Sequence, residues 1–318
     1  MSLWLPAASD NAAEVDHLIG ALLVISAAVL LLVFGLLFVY LIKYRAGSPI
    51  DRGAIAQKTW RVETAWTAAT LVIFFGLFVW GADLYVRLFQ PPQRALKIYV
   101  VGKQWMWKVE HAGGQREINT LHLPVGMPVE LVMTSEDVIH DFAVPAFRIK
   151  HDVLPGRYET LWFTPNRPGI YSLYCTQFCG LDHSKMSGNV VVLSPPEFQT
   201  WLAQNGGSHT LAADGRALFM RYGCSGCHGI DGSNDTSGAQ STVRAPSLGG
   251  LYGAPVPLTD GSVVIADDRY LHDSIVDPER QIVAGYAPIM PSFAGQIGEE
   301  DLLKLILYIK SLPAGGSP

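Results

Sequence analysis

An uncharged run of twenty-five residues near the start of the chain, Leu18 to Ile42, limits the fold more than any other feature. About 20 apolar residues cross a bilayer as a helix, the form that satisfies its own backbone hydrogen bonds in lipid. The run therefore predicts a transmembrane helix. A second uncharged run, Thr64 to Ala82, predicts another. The alternative, in which both are buried helices of a soluble core, fits the length of the first run poorly.

Basic residues are concentrated between the two runs and absent from the short N-terminal tail. The connection contains Lys43, Arg45, Arg52, Lys58 and Arg61. Because connections rich in Lys and Arg stay in the cytoplasm, we expect both chain termini outside the cell. Trp80 and Tyr85 lie where aromatic side chains meet the membrane surface. The tail lacks the basic start of a signal peptide, so we expect no cleavage.

The composition agrees with a membrane-bound chain of several units. Apolar residues make up 49% of the 318 residues, and the formal net charge is only -5. The chain has no basic run of the kind that binds nucleic acid, so we expect no nucleic-acid partner. The four cysteines form two close pairs beside histidines, which favours metal binding over disulfide bonds.

Short β-rich segments follow the membrane hairpin, separated by turn signals such as Leu154-Pro-Gly156. The predicted strands are Ala95 to Val101, Glu130 to Thr134, Thr160 to Phe163, Gly169 to Leu173 and Asn189 to Leu193. This pattern predicts an all-β Greek-key domain, and a flexible Gly-rich link from Asn205 to Ser208 follows it. We therefore expect a multidomain chain. Residues 1–94 form an α-helical membrane anchor, residues 95–204 the all-β domain and residues 205–318 an all-α domain.

Four metal-binding side chains lie close together in the predicted all-β domain: Cys175, Cys179, His183 and Met186. Thiolate, thioether and imidazole together favour copper, whereas structural zinc sites use C-x2-C pairs and rarely methionine. A dinuclear copper site needs a second histidine, and His140 is the nearest good candidate. The competing interpretation is a disulfide between Cys175 and Cys179.

The C-terminal part contains Cys224-Ser-Gly-Cys227-His228, the spacing of a covalent c-type haem site. Two thiols at this spacing attach to the haem vinyl groups while the adjacent imidazole reaches the iron. A thiol-redox motif or half of a zinc site are the alternatives. The rest of the C-terminal part contains no second cysteine pair, which argues against zinc.

The copper-binding loop resembles that of subunit II of the haem-copper oxidases, in which an upstream histidine precedes C-x-[EQ]-x-C-x3-H-x2-M. The resemblance implies a cupredoxin fold and a dinuclear CuA centre. By this resemblance, Cys175 and Cys179 bridge the two copper ions. His140 and Met186 complete the coordination of one ion. His183 and the backbone carbonyl of Gln177 complete that of the other.

The C-terminal part is similar to a class I cytochrome c. The resemblance implies an N-terminal helix from Leu211 to Tyr222 and a C-terminal helix from Glu299 to Leu312. Met290 is the expected second iron ligand, because Met220 is badly placed to reach the opposite haem face. Pro246 matches the family proline whose carbonyl accepts a hydrogen bond from the iron-bound histidine.

Two further motifs match the oxidase family. The run Gly102-Lys-Gln-Trp105-Met-Trp107 places Trp105 at the position where electrons reach the copper. The alternative is that one tryptophan packs in the core and the other lies on the surface. In Val62-Glu63-Thr-Ala-Trp66, Glu63 matches the glutamate at the mouth of the K path for protons. The alternative here is a solvated acid that stabilises the start of a helix.

Together these parts resemble subunit II of caa3-type cytochrome c oxidases, in the inner membrane of bacteria with both metal domains outside. The resemblance implies electron flow from an external donor, such as a cytochrome c or a quinol-oxidising complex, through haem c and CuA to subunit I. There haem a and the haem a3–CuB centre reduce O2 to water and pump protons, and subunit III is a further expected partner. A nitric oxide reductase subunit and a membrane-anchored copper-delivery protein are the alternatives.

Gln177 departs from the family, where most members have glutamate whose carboxylate reaches a Mg²⁺ ion at the boundary with subunit I. A backbone carbonyl ligand does not depend on the side chain, so the copper centre should be intact. A neutral amide binds a hard divalent cation more weakly than a carboxylate does. We therefore expect a weakened or missing Mg²⁺ site.

Overall fold

The computed structural model describes residues 6–50, 59–206, 210–229 and 245–313. Two long helices come first, α1 (Asp10–Lys43) and α2 (Trp60–Leu88), and each is long and apolar enough to cross a membrane. Most of their apolar side chains are exposed, so neither helix is the buried core helix of the soluble alternative. Of the basic connection, Arg52 and Lys58 lie outside the described residues.

A sandwich of two five-stranded sheets follows, which we call the sandwich domain. Its strands are β1 (Leu96–Lys103), β2 (Met106–His111), β3 (Arg116–Ile118), β4 (Thr120–Pro124), β5 (Val129–Ser135), β6 (His140–Val144), β7 (Ile149–Val153), β8 (Glu159–Phe163), β9 (Gly169–Cys175) and β10 (Ser187–Leu193). The sheet orders are β3-β2-β1-β5-β8 and β4-β10-β9-β6-β7. The predicted all-β fold is confirmed, and the five predicted strands correspond to β1, β5, β8, β9 and β10.

The core lies between the two sheets because side chains alternate between the faces of each strand. In β9, Tyr171, Leu173 and Cys175 are buried, whereas Ile170 and Tyr174 point outward. The largest fully buried side chains of the sandwich domain are Trp107, Phe142, Phe147 and Phe163. This packing gives the ends of β6 and β9 a rigid support.

Specific contacts attach the membrane helices to the sandwich domain. Arg148 makes two bonds to the carboxylate of Asp16 in α1, at 2.8 and 3.0 Å. The indole of Trp162 donates to the carbonyl oxygen of Arg87 near the end of α2, at 3.2 Å. The sandwich domain is therefore fixed to both membrane helices.

The C-terminal domain is helical. After α3 (Pro195–Asn205) come α4 (Leu211–Arg221), α5 (Ser225–His228), a short hairpin of β11 (Pro255–Pro257) and β12 (Val263–Ile265), α6 (Asp268–Val276) and α7 (Glu299–Ser311). The predicted helices Leu211 to Tyr222 and Glu299 to Leu312 are confirmed to within one residue. In the predicted link before α4, Gly207 and Ser208 lie outside the described residues.

Helices α4 and α7 cross where Gly215 allows their backbones to touch. A β-carbon at Gly215 would lie 2.0 Å from the carbonyl oxygen of Lys304. Backbone atoms cannot give way as the end of a flexible side chain can. The crossing therefore requires glycine at this position.

We expect Gly215→Ala to destabilise the C-terminal domain by about 1–3 kcal/mol, the usual cost of overpacking. Alanine in place of glycine inside a helix normally stabilises by about 1 kcal/mol, so the clash must outweigh this gain. Denaturant unfolding followed by circular dichroism measures the difference. Gly298→Ala is the control, because a β-carbon at Gly298 would have no atom within 4 Å. A more stable Gly215→Ala variant would show that the helices separate freely.

Candidate metal centres

Strand pairing brings the separated copper-ligand candidates together. β9 ends at Cys175 and β10 begins at Ser187, so residues 176–186 form a loop between the last two strands. β6 pairs antiparallel with β9, with Phe142 opposite Cys175, which places His140 beside the loop. A histidine thirty-five positions upstream is thereby fixed next to the first cysteine.

Each of the other candidate donors lies within 4 Å of a cysteine sulfur. The two Sγ atoms are 3.8 Å apart. The Nδ1 atom of His140 is 3.9 Å from Cys175 Sγ. On the other side, Cys179 Sγ lies 3.4 Å from His183 Nδ1 and 3.8 Å from Met186 Sδ. The sequence-predicted residues therefore converge on a single site.

The donors fit a copper centre better than a disulfide. Both thiols are free, and their separation is nearly twice the 2.05 Å of a sulfur–sulfur bond. The ligand atoms of His140, Cys175 and Cys179 all lie within 4.8 Å of one another, a spacing that could hold a metal ion. Two thiols, two imidazoles and a thioether are the soft and borderline donors that copper prefers.

The electrostatics of the two thiols also call for a cation. Burial opposes ionisation of Cys175, but its hydrogen bonds with His140 and with the backbone of Asp141 and Gln177 lower its pKa to about 7. Burial raises the pKa of Cys179 to about 12, and the nearby Cys175 thiolate adds to the effect. The second thiol therefore resists ionisation beside the first. Because metal ligands must be deprotonated, a bound cation is what allows both to be thiolates.

Asp137 holds the ring of His140 in place. Its carboxylate lies 2.8 Å from His140 Nε2 and accepts a further bond from the backbone N–H of Gln104. With Nε2 engaged, Nδ1 is the ring nitrogen that faces the thiols. Trp107 packs edge-on against the ring, with centroids 5.9 Å apart. Asp137 was not predicted from the sequence, although its position three residues before His140 was visible.

Trp105 and Gln104 both bond to the backbone of the metal loop. The indole N–H of Trp105 donates to the carbonyl oxygen of Cys179 at 3.2 Å, and the Gln104 amide donates to the same oxygen at 2.7 Å. Trp105 lies in the turn between β1 and β2, whereas Trp107 is fully buried on β2. Trp105 therefore contacts a candidate copper ligand without being part of the regular strand.

The carbonyl oxygen of Gln177 points at the site, 3.2 Å from Cys175 Sγ. The residue as a whole is exposed. Backbone and side chain are thus directed to different environments. The copper-ligand role of the carbonyl and the weakened Mg²⁺ site stay predictions.

The C-terminal domain contains a largely apolar cavity beside the second cysteine pair. Cys224, Cys227, His228 and Met290 all line it. His228 Nδ1 lies 2.9 Å from the carbonyl oxygen of Pro246, which leaves Nε2 for an iron. Burial lowers the pKa of His228, so the imidazole is neutral and able to act as a ligand.

Met220 does not share this position. Its side chain is 46% exposed on α4, and Met290 is the methionine that lines the cavity. An apolar cavity with two thiols, an oriented imidazole and a thioether fits a covalently attached haem.

Glu63 lies far from both sites in the chain, in the first turn of α2. The hydroxyl of Thr59 donates to its carboxylate. Both predicted roles of Glu63 are compatible with this position, because an acid in the first turn also stabilises the helix.

Three family models match the chain. Residues 2–81 match "Cytochrome C oxidase subunit II, transmembrane domain", and residues 115–194 match "Cytochrome C oxidase subunit II, periplasmic domain". Residues 212–313 match "Cytochrome c". The three matches cover the membrane helices, most of the sandwich domain and the C-terminal domain in turn.

Individual relatives agree with these models. "Cytochrome c oxidase subunit 2" of Alkalihalophilus pseudofirmus is 27% identical, over 91% of this chain and 84% of its own length. "Heme-copper oxidase subunit 2" of Aeropyrum pernix is 34% identical, over 48% of this chain and 68% of its own length. Among solved structures, the periplasmic domain of subunit II of cytochrome oxidase of Bradyrhizobium japonicum is 30% identical. That match has a TM-score of 0.35 and covers 36% of this chain and 96% of that one.

We expect Asp137→Asn to weaken copper binding by about 10- to 100-fold, the usual effect of removing the carboxylate that orients a ligand histidine. Competition with a copper chelator measures the affinity of the full chain. Asp152→Asn serves as the control, since Asp152 is exposed on β7 of the same sheet. Equal affinity in the two variants would mean that His140 is oriented without Asp137.

Proposed function

The chain belongs to the subunit II family of the haem-copper oxidases, and from this premise we propose that it is the electron-input subunit of a caa3-type terminal oxidase. The family matches imply copper in the sandwich domain and haem c in the C-terminal domain. The observation that carries the proposal is the presence of two complete donor sets on one chain. The chain accepts electrons from an external donor at its C-terminal domain and passes them through the sandwich domain to subunit I.

As a subunit of a haem-copper oxidase, the chain has subunit I as its partner. We propose that subunit I holds haem a and the haem a3–CuB centre, where O2 is reduced to water with proton pumping, and that subunit III completes the complex. A cytochrome c or a quinol-oxidising complex is the proposed donor. The family membership disfavours a copper-delivery protein.

In the sandwich domain the proposed copper centre is dinuclear. Cys175 and Cys179, whose Sγ atoms lie 3.8 Å apart, would both be shared by the two ions. Two pairs of residues complete the coordination: His140 with Met186, and His183 with the carbonyl of Gln177. When bound, the coppers and the haem each take up and release single electrons. The protein's part is to hold the donors rigidly and keep the thiols from water.

In the C-terminal domain Cys224 and Cys227 are the proposed attachment points of the haem. His228 and Met290 are its proposed axial ligands, and a methionine ligand raises the potential of the iron relative to two histidines. The carbonyl of Pro246 holds His228 in one tautomer and one orientation.

Two other residues have proposed roles outside the metal ligands. Trp105 is the proposed point where electrons from a direct external donor reach the copper, supported by its hydrogen bond to the Cys179 carbonyl. Glu63 is the proposed proton entrance, supported by its place at the start of α2 next to the basic connection.

Gln177 is proposed to keep its copper-ligand carbonyl while the Mg²⁺ site at the subunit I boundary is weakened. Two observations support this: the carbonyl oxygen of Gln177 lies 3.2 Å from Cys175 Sγ, and the residue as a whole is exposed. A carboxylate would bind Mg²⁺ at this boundary, whereas the amide is placed to donate a hydrogen bond.

The chain is anchored in the membrane by two N-terminal helices. We propose that both metal domains lie on the outer side of a bacterial inner membrane, because the basic residues cluster in the connection between the helices. The proposed domain limits are residues 1–94, 95–204 and 205–318. Helix α3 supports the second limit, since Trp201 packs against His111 and His122 of the sandwich domain.

Elemental analysis of the purified oxidase complex tests the metal assignment. We expect two coppers from this chain, beyond the CuB of subunit I, and one iron in haem c. Cys175→Ser should abolish the near-infrared band of the mixed-valence centre, because each thiolate is shared by both ions. One copper, or zinc, in this chain would contradict the dinuclear centre.

Replacement of the second haem ligand tests the order of electron flow. We expect Met290→Leu to slow O2 consumption with soluble donors, since loss of the thioether lowers the potential of the iron. The copper spectrum should be unchanged. Turnover equal to that of the native complex would place the C-terminal domain off the main path. NO added as a competing substrate distinguishes an oxidase from a nitric oxide reductase.

A further inference from the structure

Two helices of the C-terminal domain separate its cavity from the sandwich domain. In α6, Leu271 lines the cavity while the next residue, His272, packs edge-on against Tyr158 of the sandwich domain, with centroids 6.0 Å apart. In α7, Leu305 lines the cavity while Lys304 faces the sandwich domain. The separating layer is therefore one helix thick, about 10 Å.

A buried cluster joins the two domains. Lys304 and Glu110 have side chains only 4% exposed, and Lys304 Nζ lies 3.5 Å from Glu110 Oε1 on β2. The same ammonium is 2.6 Å from Glu300 of its own helix. An apolar cluster also joins the two domains. In it, Tyr99 of β1 packs with Leu211 and Leu303 of the C-terminal domain. Three partly buried residues complete the cluster: Val132, Tyr158 and Leu307.

A second contact leads from α7 towards His140. Lys108 of β2 lies 3.3 Å from Glu300 and 2.7 Å from Glu136. The backbone N–H of Glu136 donates to the carbonyl of Gly102 at 2.9 Å. A β-carbon at Gly102 would lie 2.9 Å from the His140 ring, so this backbone is packed directly on the imidazole.

Helix α6 also lies close to the same place. His272 Cε1 would lie 3.9 Å from a β-carbon at Gly156, in the turn between β7 and β8. In that turn, the carbonyl of Leu154 accepts from the backbone N–H of Ser135 at 3.3 Å. The segment of residues 135–137 thus lies between the C-terminal domain and His140, which Asp137 bonds directly.

We propose that the C-terminal domain is docked at one fixed position on the sandwich domain, and that electrons from it enter the copper site on the His140 side, through the segment of residues 135–137. This inference rests on the proposed function. Electron transfer falls off steeply with distance and with breaks in bonded contact. The segment offers a continuous route, whereas Trp105 makes its hydrogen bond to the ligand loop at Cys179. The domain then needs no movement to deliver an electron.

The docking is tested by charge reversal at Lys304 in the assembled oxidase. Lys304→Glu places a carboxylate beside Glu110 and Glu300, so we expect the domains to separate. Hydrogen–deuterium exchange of residues 132–137 should become at least ten-fold faster. The helical circular-dichroism signal of the variant should stay unchanged, which a merely unfolded α7 would not allow. Arg280→Met is the control, because Arg280 pairs with Asp273 inside the C-terminal domain. Unchanged exchange in Lys304→Glu would overturn the docking.

The rate of haem oxidation after rapid photoreduction tests the route. We expect a single phase that is independent of solvent viscosity in the native complex, and at least ten-fold slower in Lys304→Glu. Lys108→Met removes the link between Glu300 and Glu136 and should slow this phase, whereas Lys103→Met leaves that link in place and should not. A native rate that falls with viscosity would indicate a moving domain, and an unchanged rate in Lys108→Met would take the electron off this segment; either overturns the proposal. Failure of the native chain to bind copper or haem would contradict the proposed function itself.

Discussion

The pairing of β6 with β9 is the constraint on which the copper site depends. Antiparallel pairing places residues that are far apart in the chain directly opposite each other. Phe142 lies opposite Cys175, and this register leaves His140 at the mouth of the metal loop. A slip of one residue would turn every side chain of β6 to the other face of its sheet. His140 would then point away from both thiols, and the loop alone would offer a single histidine.

The loop itself is only partly determined by its own hydrogen bonds. The backbone N–H of Cys175 bonds to the carbonyl of Met186, which closes the loop at its base. At its tip Phe178 and Leu181 are exposed, the latter by 95%. The two thiols resist ionising together, because a second buried negative charge beside the first is costly. A cation between them removes that cost, so metal binding stabilises the loop in the conformation that the strands already favour.

Local patterns made much of the architecture predictable. The membrane helices, the haem-attachment spacing and the helices α4 and α7 each depend on residues close together in the chain. The strands β3, β4, β6 and β7 were not predicted as elements. Of these, β4 pairs with β10 and β6 with β9, so partners far along the chain, more than their own composition, determine these two strands. β6, for example, begins with the buried polar residues His140 and Asp141, which do not alternate as a half-exposed strand does.

The candidate donors that the fold brings together were predictable from the sequence, but the residues that support them were not. His140, Cys175 and Met186 could be named because metal chemistry restricts which residues can serve. The roles of Asp137 and Gln104 depend on the fold, which brings the β1–β2 turn beside the metal loop. The buried Lys304 at the domain contact has no sequence signature, since most lysines at such helix positions face water.

The two glutamates that surround Lys304 at the domain contact, Glu110 and Glu300, have pKa values shifted in opposite directions. Burial raises the pKa of Glu110 to about 7, although Lys304 opposes the shift. Burial would also raise the pKa of Glu300, but hydrogen bonds from Lys304 lower it to about 2. Because the pKa of Glu110 is raised, the contact between the domains loses stability as pH rises from about 4.5 to 7. Because the pKa of Glu300 is lowered, the contact loses stability as pH falls from about 4.5 to 2. The contact is therefore strongest in mildly acidic surroundings, where Glu110 is neutral and Glu300 still binds Lys304. Under the proposed function the contact lies on the side of the membrane that receives the pumped protons, and that side is the more acidic one.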